Sequence, residues 1–344
     1  MEWNTNARML DSVLQAVGCT PLVRLQKLSS DLNADIAVKL EYVNPSGSLK
    51  DRIAFEIVEK AEQRGELKPG MILLEGTTGN TGISTSMVGA SKGYRVIIVM
   101  PEGMSEERKK TIRAYGAELV LTPGAETDVD LVLQEVERLK EKYGDQVFEM
   151  GQFYRDDNIT AHYHQTGPEI WEQTEGKVDV FIMCQGTGGT VTGTAKYLKE
   201  KNPAIKIYIS EPQESPILAY GKIGKHKVQG IADGLIPEIL DLQYIDGVVL
   251  VSSDDCIAIA QNMAKKEGIF CGISSGCNVG AARKVAQKYP DKKLIVTVVN
   301  DNGLRYLSTP LCGTPTERQE LDREYQLSSE DKAQLAQYNL EVIE

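Results

Sequence analysis

The chain has 344 residues, of which 38 are lysine or arginine and 49 are aspartate or glutamate, so its formal net charge at pH 7 is −11. This acidity argues against binding to nucleic acid or to anionic membranes, because both attract basic patches. The length allows two domains, or two lobes that share a cleft. Composition therefore favours a protein that acts on a small molecule.

Sequence features that would mark secretion, disulfides or a metal are absent. No run of eighteen apolar residues occurs, and the N-terminal residues lack the regions of a signal peptide, so we expect a cytoplasmic protein. The six cysteines form no C-x-x-C pair, and the neighbouring His162 and His164 have no third ligand nearby. We expect neither a disulfide framework nor a metal site.

Strand-like and helix-like segments alternate along the chain, which is typical of an α/β fold with a parallel sheet. ADIAVKLEYV predicts a strand, and IAFEIVEKAEQRG, apolar at helical spacing, predicts the helix after it. Three more strand–helix pairs follow: MILLEG with GISTSMVGASKG, YRVIIVMP with SEERKKTIRAYG, and AELVLTPG with DVDLVLQEVERLKEKYG. VDVFIMCQG, IKIYISEP, GVVLVS and KLIVTVVND predict strands buried on both faces. The polar segment from Thr314 onward predicts a helical extension in solvent.

The stretch NPSGSLKDR places Lys50 on the turn between the first strand and its helix. The backbone N–H groups and the positive end of that helix disfavour the ammonium form of a nearby lysine. The neutral amine that remains is the form that attacks an aldehyde. Taken alone, the stretch fits an exposed lysine in a helix-capping loop equally well.

Two further glycine-rich turns follow predicted strands and precede predicted helices. In GTTGNTG, from Gly76 to Gly82, backbone N–H groups and the side chains of Thr77, Thr78, Asn80 and Thr81 suit a carboxylate, although a plain N-cap loop has a similar composition. In GTGGTVTG, from Gly186 to Gly193, the composition is that of a phosphate cradle. A dinucleotide site is the alternative there, because Glu211 follows another strand, but Val191 stands where the G-x-G-x-x-G fingerprint requires glycine.

A fourth turn, CGISSGCN, places Ser274 and Ser275 ahead of a helix that is predicted to begin near Val279. Serines in such positions are usually helix caps. In a site that holds a pyridine ring, a hydroxyl group can instead bond the ring nitrogen without forcing a full proton onto it.

In this order, the motifs closely resemble the cysteine synthase and cystathionine β-synthase family of fold-type II enzymes, which use pyridoxal phosphate. The resemblance extends from VGCTPLVRL at 17 to RYLSTPL at 305, and includes QF at 152, TGPEIW at 166 and HKVQGI at 226. It implies an α/β fold of two lobes with central, mainly parallel sheets and the active site in the cleft between them. The larger, cofactor-binding domain would comprise residues 1–47 plus 156–344, with a C-terminal extension, and the smaller, mobile substrate-binding domain residues 48–155.

The same resemblance implies the roles of the site residues. Lys50 would hold the cofactor as an internal aldimine, Asn80 would contact the ring hydroxyl, and Ser274 the ring nitrogen. The phosphate would be bound by Gly186, Thr187, Gly188, Gly189 and Thr190. The carboxylate of the amino-acid substrate would be bound by Thr77, Thr78, Gly79, Thr81 and Gln152. Lys50, once released, would remove the α-proton, and a nucleophile would add to the aminoacrylate that elimination leaves.

Three stretches depart from the family pattern. The first loop reads EGTTGNTG instead of EPTSGNTG, GIADGLIP has Asp233 and Leu235 in place of a small residue and a phenylalanine, and Leu304 replaces a glutamate. Asp233 is either a turn aspartate beside Gly234 or a carboxylate near the substrate β-carbon, able to activate water or to recognise an amino group on a second substrate. A buried carboxylate there would disfavour a phosphate leaving group, which makes O-phosphoserine a poor substrate candidate.

The expected function is β-replacement, most simply cysteine synthesis from O-acetylserine and sulfide. Within the family, the alternatives are conversion of cysteine and water to serine and hydrogen sulfide, with Asp233 as the base, and cystathionine synthesis with a thiol nucleophile. Outside it, the alternatives are a non-catalytic binding protein on the same fold and a nicotinamide-dependent dehydrogenase. The resemblance also implies a homodimer and a serine acetyltransferase tail as a candidate partner. The short segment before the core leads us to expect no heme.

Overall fold

The structure, a computed structural model, describes residues 9–125, 128–313, 326–338 and 340–344. Its strands are β1 (Leu22–Arg24), β2 (Asp35–Leu40), β3 (Ile72–Gly76), β4 (Arg95–Pro101), β5 (Glu118–Thr122), β6 (Val147–Glu149), β7 (Val180–Cys184), β8 (Lys206–Pro212), β9 (Gly247–Val251), β10 (Leu294–Val299) and β11 (Glu341–Ile343). Its α-helices are α1 (Lys50–Arg64), α2 (Asn80–Lys92), α3 (Glu106–Ala114), α4 (Val129–Tyr143), α5 (Asp156–Ala161), α6 (Gly167–Gln173), α7 (Gly189–Lys201), α8 (Ile217–Tyr220), α9 (Ser253–Asn262), α10 (Ile273–Lys288) and α11 (Ser329–Leu335). Within these ranges, no helix combines the length and apolar character that a membrane span requires.

The strands form two sheets. The larger has the order β1-β2-β10-β7-β8-β9-β11, and the smaller has the order β5-β4-β3-β6. All neighbouring strands are parallel except β1 and β2. Strands β3, β7 and β9 are buried along their whole lengths, as expected for parallel strands covered by helices on both faces. The predicted α/β class and its parallel sheets are confirmed.

The two sheets have separate hydrophobic cores, and α1 belongs to the core of the smaller sheet. Ile57 of α1 packs in one cluster with Leu73 of β3 and Ile98 of β4. Each of these side chains is fully buried, which stabilises the fold by ~1.5–3 kcal/mol per side chain. Leu14 joins this cluster too, so part of the segment before residue 48 packs with the smaller sheet.

The C-terminal segment differs from the solvated helical extension that its polarity predicts. Helix α11 is present, but β11 follows it and pairs in parallel with β9, opposite Gly247 to Val249, at the edge of the larger sheet. Its side chains explain the pairing, because Glu341 accepts hydrogen bonds from Tyr289 and Tyr208 while Ile343 is buried. The beginning of the segment, residues 314–325, lies outside the described part of the chain.

Helix α10 begins at Ile273, so the prediction of a start near Val279 was wrong. The two serines lie within its first turn, where Ser274 Oγ accepts a hydrogen bond from Asn300 Nδ2 at 3.0 Å. Ser275 Oγ accepts one from the Asn300 backbone N–H, also at 3.0 Å. The serines thus connect the helix to the end of β10, a long-range contact that local sequence does not show.

The first turn of α1 is anchored by the fully buried side chain of Arg52. Its guanidinium group pairs with Glu41, which follows β2, at 2.8 Å, and with Glu169 of α6 at 2.6 Å. Burial alone would raise the pKa of Glu41, but the charge of Arg52 outweighs it and lowers the pKa to about 2. These ion pairs fix the start of a helix whose other turns pack on the smaller sheet.

We predict that Arg52→Met destabilises the fold by about 3–5 kcal/mol, because it leaves buried carboxylates without their counter-ion. Denaturant unfolding measures this loss. Arg138→Met is the matched control, since Arg138 pairs with Glu135 on the exposed face of α4 and its loss should cost less than about 1 kcal/mol. Equal losses in the two variants would contradict the assignment. Because the pKa of Glu41 is lowered from 4.5 to about 2, its contribution to wild-type stability is present above pH 4.5 and disappears as the pH falls toward 2.

Candidate active site

Three of the four glycine-rich turns predicted to carry the site lie at the carboxyl ends of parallel strands, whereas the turn with Ser274 begins helix α10. Lys50 is reached from β2 through a short 3-10 turn, Thr77 follows β3 directly, and Gly186 follows β7. Asn300 and Asp301 follow β10, the neighbour of both β2 and β7. Since ligands bind where the carboxyl ends of such strands meet, the topology brings these turns to one place.

A first cavity, which encloses about 410 Å³ together with the open solvent at its mouth, lies against the turn after β7 and is called here the cofactor cavity. The predicted cofactor residues that line it are Lys50, Asn80, Gly186, Thr187, Gly188, Thr190 and Ser274. Gly189 does not line it and is the first residue of α7. The remaining walls come from residues that the sequence analysis did not select: Leu49, Met183, Cys184, Val191, Gln229, Gly230, Ile231 and Asn300.

The glycines of the turn from Gly186 to Gly189 lie too close to neighbouring atoms to carry side chains. A Cβ atom at Gly188 would lie 2.8 Å from Leu240 Cβ, and one at Gly186 would lie 2.9 Å from the carbonyl oxygen of Gly230. Gly188 also has a φ of +83°, which L-residues rarely adopt. The turn leads into α7, whose first N–H groups have no partner inside the helix and suit an anion.

Thr187 in this turn and Thr190 at the start of α7 are each contacted by the side chain of another residue. Thr187 Oγ1 accepts a hydrogen bond from Asn158 Nδ2 at 3.0 Å, and Thr190 Oγ1 lies 3.0 Å from His162 Nε2. Burial lowers the pKa of His162 to about 3, so its ring is neutral and one nitrogen can accept a hydrogen bond. His162 therefore positions Thr190 in the first turn of α7, a role that the sequence analysis did not assign to it.

Ser274 and Lys50 occupy the opposite side of the cofactor cavity. Because Ser274 Oγ accepts from Asn300, its own hydrogen remains available for donation into the cavity. Burial lowers the pKa of Lys50, opposed mainly by the nearby charge of Asp233. The balance favours a neutral amine compared with a lysine in water.

A second cavity, the substrate cavity, adjoins the first and encloses about 390 Å³ together with the open solvent at its mouth. The predicted residues that line it are Lys50, Thr77, Thr78, Asn80, Thr81, Gln152, Gly186, Thr187 and Asp233. Gly79 lies behind this wall as the N-cap of α2, where a side chain would collide with Arg108. Lys50 and Asn80 thus line both cavities.

The loop after β3 is fixed by its own hydrogen bonds. The Thr81 hydroxyl donates to Gln152 Oε1 at 2.5 Å, and Gln152 Nε2 donates to the Gly76 carbonyl at 3.2 Å. Thr77 Oγ1 accepts from the Gly79 N–H at 3.0 Å. The predicted carboxylate-binding residues therefore form one ordered unit beside Lys50.

Asn80 connects the smaller sheet to the turn after β10. Its Nδ2 donates to Asp301 Oδ2 at 2.7 Å, and its Oδ1 accepts from Arg305. The Tyr306 hydroxyl donates to the same Asp301 oxygen. Both polar atoms of the Asn80 side chain are thus engaged, so a contact with a ring hydroxyl would have to share or replace one of these bonds.

Arg108 is the buried cation that the sequence analysis missed. It lines the substrate cavity from α3, hydrogen bonds to Gln229, and lies with its guanidinium carbon 4.6 Å from the centre of the Tyr306 ring. No local signal distinguishes it, because α3 has charged residues on most of its faces. Glu211, weighed above for a dinucleotide, instead accepts hydrogen bonds from the N–H groups of Leu218 and Ala219 and lines neither cavity.

Comparison with known proteins places this site in a family. Residues 13–301 match the family model for pyridoxal-phosphate dependent enzymes. The chain therefore belongs to that family, and it has the fold-type II architecture.

A cysteine synthase from Staphylococcus aureus strain Mu50 is 46% identical over 303 residues, which cover 88% of this chain and 97% of that protein. Among solved structures, a cysteine synthase from Entamoeba histolytica matches with a TM-score of 0.86 and 38% identity, over 98% of this chain and 99% of that one. A hydrogen sulfide-producing enzyme from Fusobacterium nucleatum matches with a TM-score of 0.84 and 40% identity, over 87% of this chain and 100% of that one.

The cofactor cavity fits pyridoxal phosphate on its own geometry. Because its glycines carry no side chains, the turn leaves space for a phosphate next to the start of α7. Ser274 has a hydrogen to donate to a ring nitrogen, and Lys50 lines the same cavity. The residues present thus bring glycine-turn N–H groups, a hydrogen-bond donor and a lysine to one cavity.

We predict that Gly188→Ala weakens pyridoxal phosphate binding at least tenfold, because its Cβ would push the loop away from Leu240. Gly93→Ala is the matched control, since Gly93 has a similar φ of +80° but open space around it. Both variants should lose about 1–2 kcal/mol of stability to backbone strain. Only Gly188→Ala should lose cofactor affinity in a fluorescence titration. Equal cofactor affinity in the two variants would contradict the assignment of the turn at Gly188 to cofactor binding.

Proposed function

We propose that this protein is a cysteine synthase, which converts O-acetylserine and sulfide to cysteine and acetate. One observation carries the proposal: Lys50 lines both the cofactor cavity and the substrate cavity. A group that must hold a cofactor and then act on a substrate needs this position. The cysteine synthases of S. aureus and E. histolytica, similar over nearly their whole lengths, support the choice of reaction.

Pyridoxal phosphate, when bound, supplies an aldehyde for covalent attachment and a ring that withdraws electrons from the substrate α-carbon. The residues proposed to hold it are Lys50, Asn80, Ser274 and the turn from Gly186 to Thr190. Ser274 donates a hydrogen bond without a charge of its own, which moderates the electron demand of the ring. The lowered pKa of Lys50 makes its amine available as a nucleophile and as a base.

The loop after β3 is proposed to orient the amino-acid substrate. Thr77, Thr78 and Thr81 would bind its carboxylate with hydroxyl and backbone donors, and Gln152 would hold the loop in place and add its own amide. These hydrogen bonds would place the α-carbon near Lys50 Nζ, which would take the α-proton and later return it. Across the whole reaction the Cβ–O bond breaks, acetate leaves with its electron pair, and a Cβ–S bond forms to sulfide.

A second candidate function uses water as the nucleophile and releases hydrogen sulfide from cysteine. Asp233 favours it, because this carboxylate is buried, lines the substrate cavity and lies close to Gly186. A carboxylate there could take a proton from water as it attacks the β-carbon. The F. nucleatum relative, described as hydrogen sulfide-producing, supports keeping this candidate.

Further proposals concern organisation. We propose that residues 48–155 form the mobile substrate-binding domain against 1–47 plus 156–344, which the separate core of the smaller sheet supports. We also propose a cytoplasmic homodimer, with a serine acetyltransferase tail as a candidate partner of the substrate cavity. The free state of all six cysteines is compatible with a reducing compartment.

The proposed cysteine synthase activity predicts two measurements on the purified protein. Cysteine should form from O-acetylserine and sulfide, and Lys50→Ala should reduce this rate by at least about 10³-fold, because the variant loses both the attachment point and the base. Borohydride treatment followed by peptide mass spectrometry should find the pyridoxyl group on Lys50. A pyridoxyl group on another lysine, or full activity of Lys50→Ala, would refute the mechanism.

Asp233→Asn separates the two candidate functions. With cysteine alone, release of serine and hydrogen sulfide should fall at least about 100-fold, because the general base is lost. The change in the cofactor absorption spectrum on adding cysteine should persist, since Lys50 remains. If the variant releases serine as fast as the wild type, Asp233 is not the base; if the wild type releases none, the water reaction is not a function of this protein.

A further inference from the structure

A third cavity, which encloses about 860 Å³ together with the open solvent at its mouth, lies beside the substrate cavity and is called here the acidic cavity. Gln152 and Phe153 line both cavities. Its walls come from the ends of β3 and β6, from α4, from residues 151–154, and from residues 235–238 of the larger lobe. A molecule in the acidic cavity would therefore contact side chains that also line the substrate cavity.

The charged residues that line this cavity are all glutamates. Glu75 and Glu149 lie inside it, on the adjacent strands β3 and β6, and Glu137 and Glu238 lie at its exposed rim. No lysine or arginine is among its lining residues. Lys140 pairs with Glu149 at 2.6 Å and with Glu137 at 2.8 Å from outside, which leaves Glu75 and Glu238 without that counter-ion.

Glu75 is the member of this group that points to a ligand. Its side chain is only 1% exposed, and its carboxyl group receives hydrogen bonds from the Gln152 side chain and the Gly151 backbone. Its Oε1 atom is nevertheless buried with no hydrogen-bond partner among the described residues. Burial and the charge of Glu149 raise the pKa of Glu75 well above its usual range. A bound cation would relieve both penalties by supplying a donor and a positive charge.

Apart from Gln152 and Tyr154, the rest of the wall is apolar, and two family departures shape it. Leu235, Ile236 and Pro237 face Leu133 and Phe153 across the cavity. Leu235 stands where the family pattern has the larger phenylalanine, so its side chain leaves more open space. At Gly76 a Cβ atom would lie 3.0 Å from Val132 and Val136, so the glycine lets α4 approach β3. Positions that distinguish this chain from its family thus converge on one cavity.

We propose that the acidic cavity binds the ammonium group of a second substrate, a cationic aliphatic thiol without a carboxylate. The proposal rests on the β-replacement function and names a nucleophile class for it. The ammonium group would lie against Glu75, the carbon chain against Leu235 and Ile236, and the sulfur would reach past Phe153 into the substrate cavity. Acetate leaves first with the electron pair of the Cβ–O bond; the thiolate then forms the Cβ–S bond, and the thiol proton passes to solvent.

Binding is tested first, on the holoenzyme and without any reaction. Isothermal titration calorimetry compares N,N-dimethylbutylamine, a cation that cannot form an imine with the cofactor, with N,N-dimethylbutanamide, a neutral molecule of similar size. We expect the amine to bind at least tenfold more tightly than the amide. Equal affinities, or tighter binding of the amide, would overturn the proposal.

Three variants locate the binding site. Glu75→Gln and Leu235→Phe should each weaken N,N-dimethylbutylamine binding at least tenfold, the first by removing the charge and the second by filling the space. Glu141→Gln is the matched control, because Glu141 is exposed on α4 and does not line the cavity. The cofactor absorption spectrum checks that each variant is folded. If N,N-dimethylbutylamine binds Leu235→Phe as tightly as the wild type, the ligand lies elsewhere and the proposal fails even if Glu75→Gln does not fold.

A matched series of thiols then separates this inference from the proposed function. With O-acetylserine, 2-(dimethylamino)ethanethiol, which cannot form a thiazolidine with the cofactor, should give its thioether product with a kcat/KM at least tenfold higher than 2-mercaptoethanol, and 3-mercaptopropionate should react slowest. Cysteine formation from sulfide without any preference for the aminothiol would refute the inference and leave the function standing. Failure to use sulfide or any thiol, with N,N-dimethylbutylamine binding intact, would refute β-replacement and the role of second substrate, leaving only an ammonium-binding cavity.

Discussion

The buried ion pairs of Arg52 are the constraint on which the site depends. Arg52 joins the residue that follows β2 to helix α6, and it lies two positions after Lys50 on the same helical turn. The remaining turns of α1 pack in the core of the smaller sheet. One helix therefore belongs to both halves of the molecule, and Lys50 lies where they meet. A lysine on a frayed helix end would have neither the fixed position nor the burial that its chemistry needs.

The position of Lys50 places it between opposing electrostatic effects. Burial disfavours the ammonium form, whereas Asp233, the Cys184 thiol, Glu75 and Asp301 favour it, and burial prevails because its effect on the pKa is the largest. The acidic groups come from both sheets, so the pKa of the amine depends on how the halves are arranged. Any motion that separates them would change both the solvation of Lys50 and the charges around it.

Local patterns predict those parts of the site that consist of a strand, a tight turn and the helix after it. Lys50, the loop at Thr77 and the glycine turn at Gly186 were found this way, and the structure brings them together because parallel strands present their carboxyl ends to one edge. What the sequence could not show depends on distant partners. His162 matters because it reaches Thr190, Ser274 because Asn300 binds it, and Arg108 because α3 lies over the substrate cavity. Strand β11 was not predicted because three residues are too few to show the alternation of apolar and polar side chains that indicates a strand.

The cavities divide the site into regions of opposite charge preference. The turn at Gly186 and the start of α7 present N–H donors to an anion, whereas the acidic cavity presents carboxyl groups on the other side of the shared wall at Gln152. An anionic nucleophile that approached through the acidic cavity would meet Glu75 and Glu149, and its desolvation would not be compensated. Sulfide would accordingly enter as uncharged hydrogen sulfide, or by a route that avoids these residues. A cationic thiol meets no such barrier, because the charge that repels the anion attracts its ammonium group. The protein can then select between anionic nucleophiles and cationic thiols without contacting the sulfur. Their free energies already differ in the acidic cavity, before either reaches the reacting carbon.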